Sequence, residues 1–191
     1  MAGLVLTAGS GGLTNHQTLI DIDERLSSQG VAVLRYDFEY RRAGKRSPGR
    51  ADRLVGEMTE TIEAFAASLD VAPNAIAAGG RSMGGRVCTM AAAAGLELGG
   101  LVLLSYPLHP PGKPDRLRVD HWPDISAPAL FISSDSDPFG RPSEFDEHLD
   151  EWAGPVETLW LTGGGHDPKR IDHRAAIVET TESWLTNLSR N

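Results

Sequence analysis

The sequence predicts an α/β fold, with a mostly parallel six-stranded sheet and helices on both faces. Three observations carry that expectation. Short apolar runs alternate with longer segments of helical spacing along the whole chain. The runs show little strict apolar–polar alternation, as parallel strands covered on both sides should. Strand–helix–strand connections are right-handed, which distributes the helices over both faces. No internal repeat or low-complexity linker interrupts the pattern, so residues 1–191 read as one domain.

Each element follows in order. Residues 4–8 (LVLTA) open the sheet, and residues 16–29 form a helix stopped before Gly30. Residues 31–36 (VAVLRY) make the second strand. The next helix, residues 50–69, carries Leu54, Val55, Met58, Ile62, Phe65 and Leu69 at helical spacing. Residues 75–78 (AIAA) supply the third strand, and the alanine-rich segment 82–94 is a helix ending at Gly95. Residues 101–105 (LVLLS), 129–133 (ALFIS) and 156–161 (VETLWL) complete the sheet, with helices over 142–152 and 171–188. Segment 106–128 departs from this regularity. Its prolines forbid a long regular helix, and a loop of that length is expected to be functional or to act as a lid.

Composition narrows the function classes. The formal net charge of −8 argues against a nonspecific nucleic-acid binder. The one basic cluster, residues 41–50 (RRAGKRSPGR), reads as a solvated loop. No stretch approaches the roughly 18 apolar residues that span a bilayer, and no membrane association is expected. The N-terminal MAGLVLTAG lacks a basic n-region and a long enough apolar run for a signal peptide. The single cysteine, Cys88, cannot form an internal disulfide and fits a reducing compartment. The expectation is a soluble, cytoplasmic monomer or homodimer whose partner is a small-molecule acyl substrate.

The chemistry centres on Gly80-Arg81-Ser82-Met83-Gly84, which matches G-x-S-x-G. This pattern turns a strand sharply into a helix and exposes a serine hydroxyl at the turn. The flanking glycines avoid collisions that a Cβ would cause. The context agrees, because the motif follows AIAA and opens an alanine-rich segment. The bland alternative is a glycine-rich turn with an N-capping serine. Cys88 is a weaker nucleophile candidate, since it lies inside the following helix and reads as a small buried hydrophobe.

A serine nucleophile needs a base, and the base needs an orienting acid. The expected chain order is Ser, then Asp or Glu, then His. Asp135 and Asp137 both follow the fifth apolar run, and spacing alone does not separate them. Of six histidines, His166 stands after the last strand, where a base is needed. The oxyanion hole should combine the N–H of Met83 with one from the loop Gly9-Ser10-Gly11-Gly12. Ser10 or Gly11 is the expected donor in that loop.

Together these residues resemble the α/β-hydrolases, and specifically the small, lid-poor branch near dienelactone hydrolases. Within it the chain resembles the KANSL/Tex type of hydrolase-like domain, through YDFEYRRAGKRSPGR, GGRSMGGR, SYPLHPPGKPDRLRVDHW and ISSDSDPFG. The resemblance covers nearly the whole chain. It implies a nucleophile at Ser82 and a base at His166, and it favours Asp137 over Asp135 because the acid precedes Pro-Phe-Gly. Ala8-Gly9 stands where the family often has His-Gly, and Ser134 stands where a glycine is common. The usual leading antiparallel strands have no counterpart before the first run.

The expected function is a serine hydrolase cleaving a small ester or related acyl compound, using no metal and no organic cofactor. Without a large cap domain the pocket should be shallow. Its walls are expected from residues 106–113 and 38–42, with Gly11, Tyr106, Leu108, His109 and Phe139 shaping it. Arg81 and Arg86 flank the elbow and read first as partners of nearby carboxylates, with an anionic group as the alternative. One rival is a catalytically weak hydrolase fold used as a binding or scaffold module. Another is a nucleotide-binding protein using residues 9–12 as a phosphate loop, but these lack the full G-x-G-x-x-G spacing.

Overall fold

A computed structural model describes residues 1–189 of the chain. Six strands form one sheet: β1 (Gly3–Thr7), β2 (Ala32–Tyr36), β3 (Ile76–Arg81), β4 (Gly100–Leu104), β5 (Ala129–Ser134) and β6 (Val156–Leu161). Their order is β2-β1-β3-β4-β5-β6, and every pairing is parallel. The helices are α1 (Gln17–Ser27), α2 (Glu39–Arg42), α3 (Val55–Ser68), α4 (Met83–Ala93), α5 (Pro142–Asp146) and α6 (Ile171–Leu188). No described helix is long and apolar enough to cross a membrane, and no large cap domain is inserted between these elements.

Successive residues of the inner strands divide between two cores. Val5, Ala78, Leu103 and Phe131 pack with Met58, Ile62 and Val87 of α3 and α4. Leu4, Ala77, Val102 and Ile132 pack with Leu19 and Ile22 of α1 and Ile177 and Leu185 of α6. Both faces therefore need apolar side chains, which is why these strands read as unbroken hydrophobic runs. Edge strand β6 is covered less, and its Glu157 and Thr158 are exposed. Across the second face, Arg25 of α1 grips Glu182 of α6 with two hydrogen bonds of 2.7 and 3.1 Å.

Three expectations need adjustment. The helix expected over 50–69 begins as a 3-10 turn, Ala51–Leu54, before α3. The helix expected over 142–152 breaks after α5 and resumes as a 3-10 turn, Leu149–Glu151. There the chain turns to seat Trp152, whose indole N–H donates to the Ala127 carbonyl at 3.0 Å. Segment 106–128 is packed rather than a free lid. Tyr106, Leu108, Val119, Trp122 and Ile125 are buried in the α3–α4 core and take the place of a helix after β4. The Tyr106 hydroxyl accepts from the Trp122 indole at 3.3 Å and donates to the Arg118 carbonyl at 2.7 Å.

The topology also fixes where a site can form. From β1 the chain runs to β2 on one side, whereas β3 pairs with the other side of β1. Loops leaving β1 and β3 therefore diverge, and the crevice at their C-terminal ends is the natural ligand position in such sheets.

Candidate active site

Ser82 alone makes the turn between β3 and α4, with φ 50° and ψ −119°. A residue with a side chain rarely adopts that conformation, and it persists only where neighbours over-determine it. Here the Ser82 amide donates to the Leu104 carbonyl at 2.8 Å, and the Ser82 carbonyl accepts from the Arg86 amide at 3.1 Å. The turn also presses against the end of β1. A Cβ on Gly80 would lie 2.0 Å from the Thr7 carbonyl oxygen, and one on Gly84 would lie 2.6 Å from that of Ala8. Close backbone approach, together with φ 141° at Gly80, explains both glycines of the motif.

Three distant side chains meet at this turn. Ser82 Oγ lies 2.8 Å from His166 Nε2, and His166 Nδ1 lies 3.0 and 2.9 Å from the two oxygens of Asp137. A neutral imidazole protonated on Nδ1 satisfies every contact, donating to Asp137 and accepting from the serine hydroxyl. Asp137 is 1% exposed. Its other hydrogen bonds come from the Ser133 hydroxyl at 3.1 Å and the Phe139 amide at 2.9 Å. These bonds offset the cost of burying a carboxylate.

Asp135 has a different place. Its Oδ1 accepts from the Gly163 amide at 3.0 Å and from the Ser136 hydroxyl at 2.9 Å. It ties the loop after β5 to the loop that carries His166, and it does not touch the imidazole. Cys88 is fully buried, its thiol contacts the Gly79 carbonyl, and burial pushes its pKa up to about 12. A thiol so placed is inert.

A cavity of about 450 Å³ opens over Ser82 and His166. Of the expected residues, Ser10, Gly11, Met83 and Phe139 line it. Tyr106 and His109 do not. Tyr106 is turned into the core, and buried His109 bonds to the Pro110 carbonyl and to Glu144 at 2.9 and 3.2 Å. Leu108 is likewise wholly buried. Their loop contributes Pro107 and Arg118 to the wall instead. The second wall comes from Ser47, Pro48, Gly49 and Ala51 rather than residues 38–42. Phe38 is buried, while the Tyr40 hydroxyl braces the loop after β1 by donating to the Ser10 carbonyl at 2.8 Å. Among the described residues, no group of three or more His, Cys, Asp or Glu side chains is arranged to hold a metal ion.

Residues 1–188 match the family described as alpha/beta hydrolase domain. The chain belongs to that family. Among solved structures it is similar to Est1E from Butyrivibrio proteoclasticus with ferulic acid bound, at TM-score 0.81 and 15% identity, covering 100% of this chain and 90% of that one. It is also similar to a dienelactone hydrolase from Anabaena variabilis, at TM-score 0.73 and 20% identity over 97% of this chain and 86% of that one. A third similar structure is a lidless α/β serine hydrolase from Xanthomonas campestris, at TM-score 0.75 and 20% identity over 96% and 82% of the two chains. At these identities the likeness is one of fold.

Of the two arginines expected to pair with nearby carboxylates, Arg81 does so among the described residues and Arg86 does not. The first belongs to a network behind the site. Arg81, next to Ser82, donates to Asp167 at 2.7 Å, and Asp167, next to His166, also bonds His16 Nε2 at 3.0 Å. His16 caps α1 by accepting from the Thr18 amide through Nδ1 at 3.3 Å. Burial alone would raise the Asp167 pKa, but Arg81 and His16 pull it below the usual carboxylate value. Adjacency of Arg81 to Ser82 and of Asp167 to His166 was a usable signal, whereas nothing in the sequence pointed to His16. The second is Arg86. Unlike Arg81, it has no carboxylate partner among the described residues, and its Nε is buried without a hydrogen bond.

Proposed function

We propose that this hydrolase domain is a serine hydrolase that cleaves a small ester or related acyl compound. The supporting observation is the continuous chain of contacts from Ser82 Oγ through His166 to buried Asp137, at the floor of a cavity also lined by Ser10 and Met83. In this reading Ser82 Oγ attacks the acyl carbon while His166 Nε2 takes its proton. Asp137 holds the imidazole in the required tautomer and stabilises the imidazolium. The N–H groups of Met83 and Ser10 receive the negative charge that develops on the carbonyl oxygen. Met83 opens an 11-residue helix, so its amide has no helical acceptor and the helix dipole favours an anion there.

Collapse of the tetrahedral species breaks the bond between the acyl carbon and the leaving oxygen, which takes the proton from His166. The acyl group remains on Ser82. Water then attacks the acyl carbon with His166 as base, the free acid departs, and Ser82 regains its proton. The narrower affiliation with the KANSL/Tex type belongs to this proposal, on the sequence stretches that suggested it. So does a cytoplasmic setting, on the single buried thiol of Cys88.

A fluorophosphonate probe tests the reading. Labelling of the native protein that disappears in Ser82→Ala, together with Ser82-dependent cleavage of 4-nitrophenyl esters, is the expected result. Silence of native protein and variant alike would instead favour a binding module built on the same fold.

A further inference from the structure

Among the described residues, two guanidinium groups lining the cavity with Ser82 lack a negative partner. Arg86 leaves α4 one turn after Ser82, and Arg118 comes from the packed segment after β4; both line the cavity with Ser82 and His166. Neither is ion-paired among the described residues, whereas neighbouring Arg81 is held by Asp167 at 2.7 Å. Arg118 has one acceptor among the described residues, the Pro107 carbonyl at 3.3 Å. Arg86 Nε is buried with none. A buried donor without an acceptor costs free energy, and native proteins rarely leave one so.

Charge compounds the anomaly. Burial, and then the charge of Arg86, pull Arg118 below the ordinary arginine range. An anion held between the two guanidinium groups would relieve their mutual repulsion. No lining residue is acidic. The wall at Ser47–Gly49 adds no negative charge, and in the basic segment 41–50 behind it Arg50 is paired with Asp52 at 2.9 Å. This stands inside a protein of net charge −8. Local positive potential against an acidic background attracts anionic ligands to the cleft.

Among the described residues, Asp120 and Asp124 act on His121 and the Tyr106 hydroxyl faces both arginines, but none of them pairs with Arg86 or Arg118. Arg81 is already neutralised by Asp167. His121 lies behind Arg86, bonded to Thr89, which in turn donates to the Arg86 carbonyl. It contributes no acceptor to the cavity wall.

We propose that the cavity takes an acyl substrate carrying a second, ionised carboxylate, held by Arg86 and Arg118 while the reacting carbonyl sits at Ser82. The proposal rests on the hydrolase reading above and adds the class of acyl group. Guanidinium forks match carboxylate geometry, and such charge-assisted bonds are the strong ones. Arg86 lies four positions beyond Ser82, about 6 Å along the helix axis. An acyl chain of a few methylenes spans that distance, and a cavity of about 450 Å³ accommodates it.

The decisive comparison is between 4-nitrophenyl hydrogen adipate and 4-nitrophenyl hexanoate. Both acyl chains have six carbons and differ only in a terminal carboxylate against a methyl. The native protein should favour the adipate in kcat/KM by about tenfold or more. That ratio should fall towards one in Arg86→Gln and in Arg118→Gln, recover in part in Arg86→Lys, and shrink with added salt. Equal treatment of the two esters, or a ratio unchanged in both glutamine variants, overturns the proposal. Ser82-dependent hexanoate cleavage without an adipate preference would remove the anion site and leave the hydrolase reading intact. If neither ester is cleaved, calorimetric titration with adipate decides. Binding that is lost in Arg86→Gln upholds the site although the hydrolase reading fails, and no binding rejects the site as well.

Discussion

The Phe139 ring stacks on the His166 imidazole, with 4.0 Å between ring centroids and 29° between planes. The same residue donates its amide to Asp137 at 2.9 Å. One residue therefore packs the proposed base and orders the proposed acid. Phe139→Leu keeps the amide and removes the flat surface. We expect kcat on a 4-nitrophenyl ester to fall roughly tenfold to a hundredfold, because a loosened imidazole spends less time aligned with Ser82. An unchanged kcat would show that the Asp137 contacts alone orient the ring.

The two aspartates of the loop after β5 should separate cleanly. Asp137→Asn preserves shape but disturbs the His166 tautomer, and kcat should drop by about 10³ to 10⁴. Asp135→Ala breaks the tie to Gly163 and should lower stability by about 1–2 kcal/mol, with kcat reduced less than about tenfold. Urea denaturation and steady-state kinetics on both variants measure the contrast. A larger kinetic loss in Asp135→Ala would reverse the assignment of the acid.

Gly84→Ala tests the close approach of α4 to β1. The new methyl would meet the Ala8 carbonyl oxygen at 2.6 Å and the Thr7 methyl at 2.8 Å. The contacts lie at the last residue of β1 and the first residue after it, so relief requires moving the loop that follows. A loss of about 2–4 kcal/mol is expected, beyond the usual cost of overpacking. Denaturant melts showing less than about 1 kcal/mol would mean that β1 yields easily.

Stability should also depend on His121. Burial, and then the charge of Arg86, push it down from 6.5 to about 4. In the unfolded chain it titrates near ~6.5. Between these values the unfolded state binds more protons, so stability falls as the pH drops from about 6.5 towards 4. The loss reaches at most about 3 kcal/mol. His121→Gln keeps an N–H for the Thr89 hydroxyl and removes the titration. Its urea midpoint should vary less over this range than that of the native protein.

Much of the fold and part of the site were legible from local rules. Gly80, Ser82 and Gly84 announce their turn because only residues without a Cβ tolerate the approach to β1 on either side of the serine. His166 was legible because few polar residues follow the last strand with a glycine run before them. The cavity wall was not. Tyr106 and His109 stand in the right loop, but that loop turns them inwards to fill the space of a missing helix. Its arginine at position 118 reaches the cavity instead.

The sequence by itself determined the order of strands and helices, the parallel sheet and the serine at the strand–helix turn, because backbone sterics and hydrophobic period act over a few neighbouring residues. Only the tertiary structure decided which aspartate meets His166, which arginine is neutralised and which side chains face the cavity. Those outcomes depend on where loops more than twenty residues apart come to rest, as with the separation of 29 positions from Asp137 to His166. Ion pairing and burial at such sites are set by distances of a few ångströms, which local spacing does not encode.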